Sequence, residues 1–184
     1  MPRTREFDCD EALESAMQVF WKKGFEATSI QDLVNATGVN RASLYAAYGG
    51  KRQLFERALE RFRQAALGSL PPGLAGIRAF FRHVADQTLT DPRGCLLLNT
   101  VTELSTGDAS ICRMGQTARE ELERFFAARL AEAAAGGEVP PGKNTPAVAR
   151  FLTAAIYGLR TMAKTGPDRQ LVDDIVTTTL SVLR

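Results

Sequence analysis

The stretch from Thr28 to Lys51, with the sequence TSIQDLVNATGVNRASLYAAYGGK, predicts two short helices joined by a tight turn. Gly38 marks the turn, because glycine readily adopts the left-handed backbone conformation that a short connection between helices needs. Thr28 is predicted to cap the first helix, with Gln31 completing a capping box, and Asn40 is predicted to cap the second. Together these signals predict a helix-turn-helix unit in this part of the chain.

The second helix of the pair, residues 41–47, is predicted to have a small, polar and basic outer face, with Leu44 as its one strong inward anchor. A major groove admits a helix only if its leading face is slim and carries donors, so this helix suits DNA recognition. We expect Arg41 to contact a base edge, most of all guanine. Contacts to bases or phosphates are expected from Asn40, Ala42, Ser43 and Tyr45, and contacts to the DNA backbone from Thr28, Ser29, Tyr48 and Lys51.

The helix-turn-helix stretch resembles a known family. Its order, T-S-x-x-x-L-x-x-A-T-G-V-N-x-x-S-L-Y-x-x-Y-x-x-K, and the preceding W-K-K-G-F-E-A-T resemble the N-terminal domain of TetR-family transcriptional regulators. The resemblance implies a dimeric repressor that a small, hydrophobic effector releases from a palindromic operator, while activation and a regulator without a ligand stay open. The family usually has an acidic residue after the lysine, whereas this chain has Arg52. The alternative is a helical dimerisation or scaffold protein that does not bind DNA.

Composition argues against several other classes of protein. The chain has 184 residues and a net charge of +2, so bulk charge does not indicate nucleic acid, although basic residues predominate between residues 41 and 63. Three widely spaced cysteines and a single histidine, His83, argue against a disulfide framework, a metal centre and a histidine-based catalytic site. No nucleophile and base pair, paired-carboxylate motif or phosphate loop is visible. We therefore expect no enzyme activity, no cofactor and no metal.

The sequence has no sign of a membrane segment. No leading apolar segment follows its start, and no apolar run approaches the ~20 residues that a membrane-spanning helix needs. We therefore expect a cytoplasmic protein with no membrane partner.

Helical periodicity, interrupted by glycine and proline, predicts an all-α chain in two parts. An N-terminal three-helix helix-turn-helix domain is expected over residues 1–50, and a connecting helix over 51–68 joins it to a helical ligand-binding and dimerisation domain over 69–184. The boundary is predicted at the glycine- and proline-rich segment 68–73. The basic residues of segment 1–7 are predicted to be solvated, with contact to phosphates or a minor groove as the alternative.

The last two predicted helices have more apolar surface than one buried stripe requires. In the final helix, apolar residues between Leu171 and Val182 extend around much of the circumference, so part of this surface is expected to meet another chain. In the family that the chain resembles, the corresponding helices form a four-helix dimer interface. The alternative is that both faces are buried within one subunit. The predicted interface residues are Phe151, Ala155, Ile175, Val176 and Leu180.

An effector site is expected inside the second domain as a mostly apolar cavity with a few polar groups. Each candidate also has a structural interpretation, such as satisfying a helix end or filling the core. The candidates are Phe81, His83, Gln87, Cys95, Asn99, Thr102, Glu103, Tyr157 and Arg160.

Cys95 suggests an alternative mode of sensing. It begins a short predicted helix beside Arg93, and both the helix N-terminus and the guanidinium would favour the reactive thiolate. Some TetR-family regulators use a cysteine as the sensor. The structural interpretation is a small buried hydrophobe, in which burial raises the pKa and silences the thiol. Cys112 could act as a resolving partner only if its Cα lies within about 7 Å of that of Cys95.

Overall fold

The computed structural model describes residues 7–65 and 70–184, and in these ranges every regular element is a helix. The predicted all-α class is confirmed. The basic arm before residue 7 and the segment 66–69, which covers the predicted end of the connecting helix and the start of the boundary, lie outside the described residues. The chain divides into two compact units, an N-terminal unit of Met1–Ala66 and a C-terminal unit of Leu67–Arg184.

The described residues of the N-terminal unit form four helices around an aromatic core. The helices are α1 (Cys9–Lys23), α2 (Ile30–Thr37), α3 (Arg41–Tyr48) and α4 (Lys51–Ala65). Phe20 and Phe55 are fully buried, and their ring centroids lie 4.9 Å apart. Phe25 packs on Phe55 with a centroid distance of 4.8 Å. Because these rings come from α1, α4 and the segment before α2, they hold the helix-turn-helix pair on a rigid base.

The cap of α2 differs from the prediction. Ser29, not Thr28, is the N-cap residue, and the capping box is completed by Asp32 and not by Gln31. The Ser29 hydroxyl accepts a hydrogen bond from the Asp32 amide at 3.1 Å, and the Asp32 carboxylate accepts one from the Ser29 amide at 2.9 Å. Thr28 is buried and its hydroxyl donates to the Gly24 carbonyl oxygen at 2.6 Å. The Thr28 hydroxyl is therefore already hydrogen-bonded in the turn that precedes α2.

The turn and the cap of α3 are as the sequence predicts. Gly38 has φ +68°, in the left-handed region that favours glycine, and ends α2. The Asn40 side chain accepts a hydrogen bond from the Ser43 amide at 2.9 Å, which satisfies one of the free amides at the start of α3. These local signals fix the angle at which α3 leaves the turn.

The described residues of the C-terminal unit form five α-helices. They are α5 (Gly73–Thr90), α6 (Leu96–Leu104), α7 (Ala109–Ala135), α8 (Thr145–Met162) and α9 (Arg169–Ser181), with a 3-10 turn at Ala163–Thr165. The core lies between α5, α7, α8 and α9. Its largest fully buried side chains are Ile77, Phe81, Phe126, Leu130, Leu152 and Leu159.

Gly94 occupies a position in the C-terminal unit that a side chain cannot share. It has φ +70°, and a Cβ built on it would lie 2.7 Å from the carbonyl oxygen of Arg160. Gly94→Ala is therefore expected to lower the free energy of unfolding by about 1–3 kcal/mol, because it adds left-handed strain and a clash with a backbone atom. Denaturant unfolding measures this loss.

Gly107→Ala is the matched control in the same unit. Gly107 is not among the glycines with positive φ, and a Cβ there would meet no atom within 4 Å. Its substitution is expected to leave stability nearly unchanged. Equal losses for the two variants would contradict the role assigned to Gly94.

Candidate nucleic-acid interface and ligand cavity

The outer side of α3 brings together the residues predicted to read DNA. Leu44 is buried and anchors the helix inward. The Arg41 guanidinium lies over the Tyr45 ring, 5.2 Å from its centroid, which holds the cation in a defined position. Of the predicted contact residues, Asn40, Arg41 and Ala42 are exposed and Ser43 and Tyr45 are half-buried. The result is a narrow surface with one fixed guanidinium and several short polar groups.

Lys51 lies in the first turn of α4, where free backbone amides and the helix dipole favour an anion. Its ammonium lies 4.4 Å from the centroid of the Phe25 ring and donates to the Glu26 carbonyl oxygen at 3.4 Å. The ring and the carbonyl oxygen together orient the ammonium before any ligand arrives.

Ser29 is exposed at the start of α2, as a phosphate contact requires, but its polar groups are already occupied. Its hydroxyl donates to the Asp32 carboxylate at 2.8 Å. A hydrogen bond from Lys23, at 2.6 Å, and those from Ser29 hold the pKa of the Asp32 carboxyl well below its usual range. Lys23 therefore offsets the negative charge that Asp32 would otherwise present to DNA.

Two of the predicted backbone contacts need correction. Thr28 is only 1% exposed, and its hydroxyl is bonded to Gly24. Tyr48 is buried, and its hydroxyl donates to the Cys9 carbonyl oxygen at 2.6 Å, which ties α3 to the start of α1. Tyr48 lies four residues after Leu44 and so shares its inward face, a spacing from which burial can be inferred. Both side chains therefore stabilise the N-terminal unit from within, and neither is exposed on its surface.

A cavity of about 240 Å³ lies between α6, α7 and α8. Its walls are mostly apolar, with polar groups contributed by α7, by α8 and by the residue that follows α6. The lining residues are Leu97, Leu98, Val101, Ser105, Cys112, Gly115, Gln116, Arg119 and Tyr157. We refer to it as the α6–α7–α8 pocket.

Tyr157 is the only predicted effector residue that lines this pocket. Phe81 is fully buried and packs on Phe126, with ring centroids 5.9 Å apart. The Asn99 amide donates to the Arg93 carbonyl oxygen at 2.8 Å and serves the turn before α6. The predicted positions that do not line the pocket are Phe81, His83, Gln87, Cys95, Asn99, Thr102, Glu103 and Arg160, of which His83, Thr102 and Glu103 are exposed.

Most of the pocket was missed because it depends on how three helices pack, which periodicity does not define. One signal was present in the sequence: Gly115 lies inside the long α7, where an isolated glycine is costly unless packing requires it. A Cβ at Gly115 would lie 2.7 Å from Cγ2 of Val101. The glycine therefore allows α6 and α7 to approach each other beside the pocket.

The surroundings of Cys95 oppose the thiolate that the sequence suggested. Cys95 is the N-cap residue of α6, but burial raises the pKa of its thiol despite the nearby backbone amides and Arg160. Arg93, the cation that the sequence places beside Cys95, is bonded to the Asp91 carboxylate at 2.7 Å. Burial also lowers the pKa of Arg160. The direction of this pKa shift agrees with the structural interpretation of Cys95 as a small buried hydrophobe and argues against the alternative of a Cys95 redox sensor.

The apolar surface of α8 and α9 is partly exposed. Phe151 is 48% exposed and Leu171 is 42% exposed, the two large hydrophobic side chains with most solvent contact among the described residues. The remaining predicted interface residues pack partly against the core and are half-buried, namely Ala155, Ile175, Val176 and Leu180. Phe151 and Leu171 therefore define the surface that we call the α8–α9 face.

Comparison with known proteins identifies the family. Residues 12–58 match the family described as bacterial regulatory proteins, tetR family, and residues 73–179 match the tetracyclin repressor-like C-terminal domain. The chain belongs to the TetR family. It is therefore a transcriptional regulator, as its helix-turn-helix sequence predicted.

Individual TetR-family relatives match over nearly the whole chain. The HTH-type transcriptional repressor ComR of Escherichia coli (strain K12) is 32% identical over 188 residues, covering 97% of this chain and 90% of ComR. A cysteine-substituted form of the TetR-family regulator CifR, solved with 26-base-pair double-strand operator DNA, superposes with a TM-score of 0.84 at 29% identity, covering 99% of this chain and 100% of CifR.

None of the described helices is long and apolar enough to cross a membrane. Within residues 7–65 and 70–184, no group of three or more histidine, cysteine, aspartate or glutamate side chains is placed to hold a metal ion.

Proposed function

We propose that this TetR-family protein is a dimeric repressor that places α3 of each subunit in a major groove of a palindromic operator and is released by a small effector. It would act in the cytoplasm, where the operator lies, by binding alone. The observation that supports this most is the outer face of α3, where an exposed arginine stands among small side chains. The operator-bound CifR form, similar in fold along the whole chain, supports the same assignment.

Direct readout would come from Arg41. An arginine can donate two parallel hydrogen bonds to O6 and N7 of guanine, the commonest specific contact in the major groove. The Tyr45 ring at 5.2 Å supports the guanidinium from one side and limits the directions in which it can point. Ala42 is exposed and small, so the helix can come close to the base edges.

Phosphate contacts would come from Lys51 and the first turn of α4. The lysine and the helix dipole act in the same direction there, so both attract one phosphate. Ser29 can add a weaker contact if its hydroxyl leaves the Asp32 carboxylate. Such contacts set the register of the protein on the duplex but do not distinguish sequences.

Dimerisation would follow from the α8–α9 face. Phe151 and Leu171 expose apolar surface that a second copy can bury, and an isologous interface would arrange the two chains about a two-fold axis. Two recognition helices placed about 34 to 36 Å apart then meet successive major grooves, which matches a palindromic operator. An effector that favours another arrangement of the two subunits would lower operator affinity.

Arg41→Ala and Lys51→Ala test the two kinds of DNA contact. Arg41→Ala is expected to cost about 1–3 kcal/mol on the operator and to relax sequence preference at one position in each half-site. Lys51→Ala is expected to weaken binding to all DNA sequences similarly. It should also make the dependence of the binding constant on salt concentration shallower by about one ion per subunit.

The measurement is a binding titration at several salt concentrations. Its DNA is an operator fragment, selected by the wild-type protein from random duplexes, with a scrambled duplex of the same length as the reference. An equal loss on both duplexes for Arg41→Ala would contradict base reading. Failure of the wild-type protein to select any sequence would contradict the proposed function itself.

A further inference from the structure

We propose that the α6–α7–α8 pocket is the effector site and that it selects small, neutral, largely apolar molecules of about one aromatic ring with a single hydrogen-bonding group. This inference rests on the proposed function, since it names the ligand class of an effector-released repressor. It replaces the residue set that the sequence suggested, because of that set only Tyr157 lines the pocket.

The size of the pocket limits the ligand. Its volume is about 240 Å³. An apolar cavity of about 150 Å³ holds benzene, whereas pockets for drug-sized ligands run from about 300 to 1,000 Å³. The pocket therefore fits a benzene ring with one short substituent.

The walls favour an apolar ligand. Leu97, Leu98 and Val101 form the α6 side of the pocket, and Val101 packs against Gly115, where α7 has no side chain. A ring that enters this space removes apolar surface from water on both sides, which favours binding in proportion to the area buried.

Polar groups at the pocket can orient a substituent. The hydroxyls of Ser105 and Tyr157 and the amide of Gln116 have no hydrogen-bond partner among the described residues. Burial, assisted by the nearby Cys95 and Glu123, raises the pKa of the Tyr157 hydroxyl, which therefore stays neutral and able to donate. A hydroxyl, amide or carbonyl on the ligand could pair with one of these groups.

The charges at the pocket disfavour an anion. Arg119 is hydrogen-bonded to the Glu123 carboxylate, and a second carboxylate, that of Glu120, lies 3.6 Å from the guanidinium. The Arg119 guanidinium is thus already paired with carboxylates, and Glu123 also lies 4.0 Å from the guanidinium of Arg150. An anionic ligand would therefore have to displace Glu123 from Arg119 before it could bind that cation. A neutral ligand avoids this cost.

The position of the pocket suggests how occupancy is communicated. Tyr157 lies on α8, which also carries Phe151 of the α8–α9 face. A ligand held between α6, α7 and Tyr157 would therefore bias the position of a helix that the proposed dimer uses. An effector changes operator affinity only if it binds two arrangements of the protein with different affinities.

The experiment uses the full-length protein with four neutral probes, phenol, benzyl alcohol, benzamide and acetophenone, and with benzoate as the anion of matched size. The first readout is the melting temperature, which rises when a ligand binds the folded state. The second is the rate at which iodoacetamide alkylates Cys112, which lines the pocket, with Cys9 in the N-terminal unit as the internal reference.

At least one neutral probe is expected to raise the melting temperature and to protect Cys112 while leaving Cys9 unchanged. At ten times its Kd a probe leaves about one molecule in eleven free, so alkylation of Cys112 should slow about tenfold. Benzoate is expected to have neither effect. No stabilisation by any of the four neutral probes, or equal stabilisation by benzoate, would overturn the proposal.

Two variants test whether the probes bind in the α6–α7–α8 pocket. Leu98→Trp fills the pocket and is expected to abolish the probe-induced shift, whereas Thr102→Trp places the same side chain on the exposed side of α6 and should preserve it. Ser105→Leu, a second filling variant, serves if Leu98→Trp does not fold. A shift that persists in the filled variant would place the ligand elsewhere and overturn the proposal.

Operator titration with the same probes separates this inference from the proposed function. Release of the wild-type protein from the operator by the stabilising probe supports both. Specific operator binding without any probe binding would contradict the proposed effector pocket but not the proposed repressor function. Probe binding at the pocket by a protein that selects no operator would contradict the proposed repressor function but not the ligand site.

Discussion

Phe151→Glu is expected to convert the proposed dimer to monomers and to lower operator affinity by about 100-fold or more, since linking two binding modules multiplies affinity by about 10² to 10⁴. Phe151 is 48% exposed on α8, so the change removes little from the core of its own subunit. At the α8–α9 face, however, a carboxylate would be buried without a partner in an apolar contact, which is costly.

Sedimentation velocity at micromolar concentration measures the loss of the dimer, and titration of the selected operator measures the loss of affinity. Ala128→Glu is the matched control, because it adds the same charge at an exposed position of α7, a helix to which no residue of the α8–α9 face belongs. Circular dichroism verifies that both variants keep their helices. A Phe151→Glu protein that remains dimeric with full operator affinity would refute the assignment of this face.

Phe126→Ala is expected to have the largest effect on stability, about 3–5 kcal/mol, because it removes a fully buried ring and leaves a cavity. The Phe126 ring lies 5.8 Å from that of Phe80, 5.9 Å from that of Phe81 and 5.3 Å from that of Phe125, so it joins α5 to α7 at the centre of the C-terminal unit. These ring contacts are lost together with the buried area.

Denaturant unfolding followed by circular dichroism measures this change, and two transitions are to be fitted if the two units unfold separately. Phe125→Ala is the control, since its ring is half-buried beside the same cluster and should cost clearly less. Similar losses for the two variants would show that the fully buried position has no special role.

The helix-turn-helix unit was largely predictable because its signals are local. A left-handed glycine at Gly38, a cap at Asn40 and an inward Leu44 each depend on residues within one or two turns. The two misplaced contacts differ in cause, because Thr28 is bonded to Gly24, four positions away, whereas the partner of Tyr48 is distant in the sequence. Tyr48 is bonded to Cys9, 39 positions away, and no pattern around Tyr48 specifies that distance.

The effector region was less predictable for the same reason. The pocket forms where α6, α7 and α8 leave space between them, and the packing of all three helices decides which residues line it. Cys95 shows why the sequence alone does not decide the direction of a pKa shift. Sequence gives the helix N-terminus and the neighbouring arginine, but not the burial that reverses the sign of the pKa change, nor the carboxylate of Asp91 that engages Arg93.

The aromatic rings beneath the two cations of the proposed DNA-contacting surface bear on the timing of recognition. Arg41 lies over Tyr45 and Lys51 over Phe25, so the rotational freedom of both long side chains is reduced when the N-terminal unit folds. Ordering a flexible side chain at an interface costs about 0.5–1.5 kcal/mol. In the proposed complex, part of that cost would be met during folding, before the protein encounters a duplex. The fit to each site would then depend more on the bases and less on rearrangement of these two side chains.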